Sequence, residues 1–192
     1  MSVTDTTETT TVTPSITGDY DVDPAHSRLG FAAKHAMIAT VRGQFAVYKG
    51  EVHLDEANPE ASWATVEIDV ASVDTGNADR DNHLRTSDFF EVDTYPTITF
   101  ASTAARKIDD DTYELTGDLT IHGTSQPVTV EFERTGTSYD PWGNFRIGFE
   151  GRASVNRRDW GLSWNVGLDK GGVLVSEKVK LEFDISAVKR AQ

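Results

Sequence analysis

The sequence predicts a mostly antiparallel, all-β protein, and three observations carry that prediction. Apolar and polar residues alternate with a period of two in six separate runs. Turn residues punctuate the gaps between runs, and only one window has the make-up of a helix. Side chains on a strand point to opposite faces, so each run offers one apolar face and one wet face.

The chain begins with a Thr-rich stretch. Residues 1–17 hold eight threonines and Pro14 but no Lys or Arg, and without apolar periodicity they read as a disordered lead-in. From residue 18 to 192 the texture is uniform and no linker parts it, so one domain is expected there. Leu29, Phe31 and Ala33 form the first alternating run, and Val66, Ile68 and Val70 the second. Leu115, Gly117, Leu119 and Ile121 give the third, and Val128, Val130 and Phe132 the fourth. The fifth is Phe145, Ile147 and Phe149; the sixth is Val179, Leu181, Phe183 and Ile185. Between them lie Asn58-Pro59, 109–112, His122-Gly123, 140–143 and Gly171-Gly172, all turn chemistry. A helix is expected only over 79–90, with Asp79 as its N-cap. Such a pattern fits a sandwich or a barrel. The glycines inside strand patterns (Gly30, Gly117, Gly148, Gly151) favour a barrel, because closing a sheet needs bends and close approaches.

Composition removes several functions. The 192 residues carry 18 Lys and Arg against 31 Asp and Glu, a net charge of −13. Nucleic-acid binding relies on a basic surplus and is not expected, nor is electrostatic docking to anionic lipid. With no cysteine there are no disulfides, thiol nucleophiles or Cys-ligated metals. No apolar stretch is long enough for a transmembrane helix. The N-terminus lacks the basic and apolar regions of a secretory signal, so a cytoplasmic location is expected.

The five histidines (26, 35, 53, 83 and 122) show no metal-ligand spacing, and no metal site is expected. The densest polar cluster runs from Thr75 to Leu84. There His83 is a base candidate and Asp79 or Asp81 would orient it; the alternative is a loop fixed by ion pairs through Arg80 and Asp81. No nucleophile elbow or phosphate-binding glycine loop accompanies the cluster. Arg157 and Arg158 could hold an anionic head group or close a salt-bridged strand end.

Read together, these residues resemble the YceI family, often called polyisoprenoid-binding or lipid-binding proteins. Asp23-Pro24-Ala25-His26-Ser27 is followed by a strand ending in His35. Gly43-Gln44-Phe45, Arg80-Asp81-Asn82-His83-Leu84, Phe89-Phe90 and Tyr95 to Phe100 continue the likeness. Gly117 to Thr124, Pro127-Val128 and Arg158-Asp159-Trp160-Gly161 complete it, in order, over about 18–188.

That resemblance implies an extended, lipocalin-like antiparallel barrel of eight strands with one or two short helices, open at one end around an apolar pore. It also implies a bound polyisoprenoid and a possible homodimer. A quinone-like lipid is one such ligand, and no other cofactor is expected. Phe31, Val66, Ile68, Phe100, Leu119, Val130, Phe149 and Phe183 are the candidate pore residues; Arg157 and Arg158 are candidates for a polar head. An isoprenoid tail makes no hydrogen bonds, so burying about 300 Å² of it would gross about 7 kcal/mol before ordering costs. The expected function is a non-enzymatic protein that sequesters or carries such a lipid. The alternatives are a small enzyme acting on an apolar substrate with His83 as general base, and a packed barrel serving as an interaction module.

Overall fold

The computed structural model describes residues 14–191 and consists of eleven strands and one α-helix. The strands are β1 (Gly18–Val22), β2 (Arg28–His35), β3 (Ala39–Phe45), β4 (Tyr48–Leu54), β5 (Trp63–Asp69) and β6 (Val73–Asp74). After the helix α1 (Ala78–Arg85) come β7 (Thr97–Lys107), β8 (Thr112–Ile121), β9 (Thr124–Tyr139), β10 (Phe145–Asn156) and β11 (Val175–Lys189). Every strand pairing is antiparallel.

Eight strands close a ring in the order β1-β4-β5-β7-β8-β9-β10-β11, and β11 returns to β1 through Tyr20↔Lys189 and Val22↔Ala187. The choice between sandwich and barrel is therefore resolved as a closed barrel. The long β11 divides its free edge. Residues 187–189 pair with β1, while Val175 to Asp184 pair with β2, which leads on to β3 and the two-residue β6. Closing the ring removes the edges of its eight strands from solvent, and β3 forms the outer edge of the added β2–β3 pair.

The ends of the barrel differ. At the far end lie the β4–β5, β7–β8 and β9–β10 loops and the segment entering β1. Ile16 is buried there against Tyr20, Phe145, Ile147 and Ala187. The Tyr20 hydroxyl donates to the Ile16 carbonyl at 2.7 Å. The lead-in expected over 1–17 lies outside the described residues up to residue 13, but at Ile16 the chain is already packed. At the near end are α1, the connection 86–96, the β8–β9 turn, the segment 157–174 and the β2–β3 turn.

The helix departs from the sequence expectation. It spans Ala78–Arg85 rather than 79–90, and its N-cap is Asn77, whose side chain accepts from the Arg80 amide at 2.9 Å. The Asn77 backbone is extended, which suits a cap. Asp79 is already helical.

Candidate ligand-binding pore

Alternation along the ring strands turns one set of side chains inward. Val66 and Ile68 of β5 pack on Val22, Leu29 and Tyr48. Leu119 of β8 meets Val128 and Val130 of β9 and Trp160. Phe149 of β10 lies against the far-end cluster of Ile16 and Tyr20. Phe183 of β11 belongs to both the near-end and middle clusters, so the apolar lining is continuous along the barrel. Register sets Phe100 opposite Val66 and Leu119, and alternation sets Phe31 with Leu29, so the eight aliphatic and aromatic candidates fall on one face of the sheet.

Three of the aromatic rings lie against glycines of neighbouring strands. A Cβ built on Gly43 would lie 2.4 Å from Phe31 Cζ, one on Gly117 2.5 Å from Phe100 Cζ, and one on Gly151 2.3 Å from Phe132 Cε1. Each ring leans onto a glycine of the adjacent strand, in contact that a Cβ at the same position would displace. That arrangement is what the strand glycines Gly117 and Gly151 provide. Gly148 instead marks a register shift between β9 and β10. Phe132 bridges Phe149, at a centroid distance of 6.4 Å, and Phe183, at 6.0 Å. A second chain of rings, Phe31–Phe45–Phe90, runs toward the near end at 5.7 and 5.9 Å. Sequence reasoning passed over Phe45, Phe90 and Phe132 as lining residues, although Phe132 carried the same alternation signal as Val130.

Packing within this lining is incomplete. Tyr20, Ile147 and Ala187 at the far end are closed off from solvent. Phe31, Val66, Ile68, Phe100, Leu119, Phe149 and Phe183 remain only partly buried although their neighbours are apolar. A close-packed core of this size would bury such side chains almost completely.

Polar groups near the lining are few. Among the described residues the buried Tyr48 hydroxyl has no partner within hydrogen-bond geometry. Burial, followed by the charges of Asp23 and Asp184, raises its pKa, and the Ser27 side chain opposes this. Tyr20 is pushed up to about 12, first by burial and then by the Glu56 charge.

The two arginines are engaged with groups of the protein itself. Arg157 is buried, and its guanidinium donates to the carbonyls of Leu162, Trp164, Val175 and Ser176, so it staples the segment 157–176. Burial pushes its pKa down, with Arg158 adding to the effect and Glu177 opposing it. Arg158 pairs with Glu177 at 2.9 Å on the surface. Arg158 thus makes the kind of ion pair weighed for a strand end, whereas Arg157 binds backbone carbonyls.

The polar cluster at 75–88 is rearranged relative to expectation. His83 Nε2 lies 2.7 Å from Asp88, not from Asp79 or Asp81, and the ring sits edge-on to Phe89 and Trp164. Asp81 is buried and accepts from both the amide and the hydroxyl of Thr75. Arg80 donates to the hydroxyl and carbonyl of the same threonine. A surface groove of about 650 Å³ lies on the outer face of β10, β11, β2 and β3. It is floored by charged side chains, among them Arg28 and Arg42 beside Glu182, which makes it unsuited to an alkyl chain. Among the described residues no helix is long and apolar enough to cross a membrane.

Comparison with known proteins adds an independent line. The model of the YceI-like domain matches residues 20–187. A UPF0312 protein of Ectopseudomonas mendocina (strain ymp) is 34% identical over 178 residues, covering 92% of this chain and 90% of the relative. The crystal structure of Burkholderia cenocepacia BcnA superposes with a TM-score of 0.74 at 28% identity, covering 86% of this chain and 98% of that one. A polyisoprenoid binding domain from Saccharophagus degradans, implicated in plant cell wall breakdown, shares the fold. Its TM-score is 0.67 at 19% identity, with 89% and 98% coverage.

Proposed function

The chain belongs to the YceI family, and from that premise we propose that its barrel holds a polyisoprenoid chain and performs no chemistry on it. The observation that carries this reading is the inward apolar set, continuous from Phe149 to Phe31 and only partly buried. Rings laid against the wall leave the middle of the barrel to a slender ligand, which an eight-stranded barrel is about wide enough to hold. The polyisoprenoid binding domain of the same fold supports this ligand class. A quinone is the proposed cargo, sequestered or carried from the cytoplasmic side of a membrane, and a homodimer is the proposed assembly. The far end is plugged by Ile16, so the ligand passes through the near end, beside α1.

The test is a Phe100→Asp/Phe149→Asp protein. Loss of isoprenoid binding with a retained β-sheet spectrum is expected; undiminished binding in the folded variant overturns this pore. A second reading, an enzyme acting on an apolar substrate, is favoured by one observation, the 2.7 Å His83–Asp88 pair. Turnover abolished in His83→Ala with ligand binding intact would establish it. Ligand binding unchanged and no turnover in either protein is the outcome expected here.

A further inference from the structure

The β2–β3 turn is built from residues poorly suited to it. His35 accepts from the Ile38 amide at 3.1 Å, and the two central residues have positive φ, 48° at Ala36 and 64° at Met37. A two-residue turn of this kind ordinarily takes Asn-Gly, because side chains resist the left-handed region. Met37 and Ile38 at this turn are 56% and 83% accessible.

A second tip stands beside the first. The segment 165–174 folds back on itself through the Gly167↔Val173 bridge and the Leu168 amide to Gly172 carbonyl bond. The Ala36 amide donates to the Leu174 carbonyl at 2.7 Å, and a Cβ on Gly172 would lie 3.7 Å from Met37 Cγ. Val166 on this segment is also exposed. Lys34 and Lys170 flank the two tips, both exposed and, among the described residues, with no carboxylate in ion-pair range.

A further exposed apolar tip, Tyr139 and Trp142 at the far end, has a more acidic setting. There the loops 55–62, 108–111 and 140–144 carry three, three and one carboxylates, of which Asp110, Asp111 and Asp140 pair with Lys107, Arg134 and Arg146 on the strands. We propose that the two near-end tips dock on a lipid bilayer with anionic head groups, Met37, Ile38 and Val166 entering the interface and Lys34 and Lys170 meeting phosphates. The overall charge of −13 argues against anionic surfaces, and Asp169 lies beside Lys170 on the tip, so the three apolar side chains carry the docking and the two lysines supply only its head-group preference; the seven far-end carboxylates are remote. The 15 residues of β11 span roughly 50 Å, several times the Debye length of about 8 Å. A protein partner is the poorer fit. A stable interface needs roughly 800 Å² on each side, and three side chains on two tips supply less than half of that. The tips lie at the open end of the pore, so docking would let a lipid pass between bilayer and barrel; in that sense the inference rests on the proposed cargo.

The test is flotation with isoprenoid-free vesicles, one set of phosphatidylglycerol and phosphatidylethanolamine, the other of phosphatidylcholine alone. The unaltered protein is expected to float with the first set, and much less in about 0.5 M salt. Ala36→Asn/Met37→Gly/Ile38→Ser should lower the bound fraction at least tenfold while melting no lower than the unaltered protein, since it relieves the turn. Lys34→Glu/Lys170→Glu should remove the preference for phosphatidylglycerol. No flotation of the unaltered protein overturns the proposal. So does equal flotation of the tip variant, or a concentration-dependent dimer that the tip variant dissolves. The cargo is tested separately by uptake of a quinone from ethanol solution. A tip variant that takes up quinone from ethanol but acquires it slowly from vesicles satisfies both readings. Failure of ethanol uptake in the unaltered protein strikes only the cargo.

Discussion

Gly151→Ala tests the wall-hugging aromatic rings with a single methyl group. Gly151 is extended and pairs with Phe132 across β9 and β10, so alanine meets no backbone objection. The new Cβ would sit 2.3, 2.5 and 3.0 Å from Phe132 Cε1, Cδ1 and Cζ, against a comfortable carbon–carbon separation of about 3.5 Å. The ring must therefore retreat by about 1.2 Å, away from the wall. Overpacking of this kind costs about 1–3 kcal/mol, and the less flexible unfolded chain returns about 0.4–1, so a net loss of about 1 kcal/mol is expected. In the lumen the displaced ring denies contact to about one five-carbon unit of the ligand. If that removes about 100 Å² of apolar contact, the loss is about 2.5 kcal/mol, or close to 70-fold in Kd. Gly30→Ala is the control. Gly30 faces outward, and the three atoms nearest its Cβ all belong to the Arg28 guanidinium, the far end of a flexible side chain that can shift on its contacts with Gln44 and the Gly43 carbonyl. Urea denaturation measures the stability of both variants, and quenching of intrinsic tryptophan fluorescence by an isoprenoid quinone measures binding. A folded Gly151→Ala protein that binds as tightly as the Gly30→Ala control would refute the placement of Phe132 beside the ligand.

Three further outcomes follow from the same geometry. Tyr48→Phe removes a buried hydroxyl that has no partner among the described residues, so urea denaturation should show stability unchanged or raised by up to about 1 kcal/mol; a loss above about 1.5 kcal/mol would mean the hydroxyl is satisfied. Ile16→Ala should cost about 2–4 kcal/mol, because it hollows the far-end cluster, and a loss below about 0.5 in the same assay would show that Ile16 plugs nothing. Tyr20, raised to about 12, stays protonated in the folded state while the unfolded chain ionises near pH 10. Its contribution is complete below about pH 10 and is lost as pH rises toward 12. Stability measured from pH 9.5 to 12 should fall less steeply in Tyr20→Phe than in the unaltered protein, and parallel curves would contradict the shift.

The β character of the chain was legible because its strands are long and one-sided. The runs at 115–121, 128–132, 145–149 and 179–185 all fall inside observed strands. The short β1 has only Tyr20 and Val22 to signal it, too few to establish a period. Gly43 in β3 and Gly50 in β4 occupy inward positions, and so blank the pattern where it would have shown. In β7 the alternation is broken by a register shift between Ser102 and Ala104. Period two could not choose between sandwich and barrel, because closure depends on β11 reaching β1 across the whole sequence. Nor could it say which face is the pore. The inward set became visible only when glycines and rings were seen to pair across strands.

Arg157 shows the limit from the other side. Adjacent arginines in an acidic chain suggest an anion site, but the carbonyls that occupy Arg157 come from Leu162 to Ser176. That loop's path cannot be read from local composition. The same holds for His83. Helical spacing put Asp79 on its face, whereas the partner the fold supplies is Asp88, beyond the end of the helix.

The central claim is that the barrel interior is occupied by an isoprenoid. The most direct measurement is to purify the protein without detergent, extract it with organic solvent, and identify the lipid by mass spectrometry, with native mass spectrometry giving the stoichiometry. One isoprenoid per chain, absent from the Phe100→Asp/Phe149→Asp protein, is the expected result. A protein that yields no lipid, and takes up none after incubation with quinones and prenyl phosphates, would contradict it.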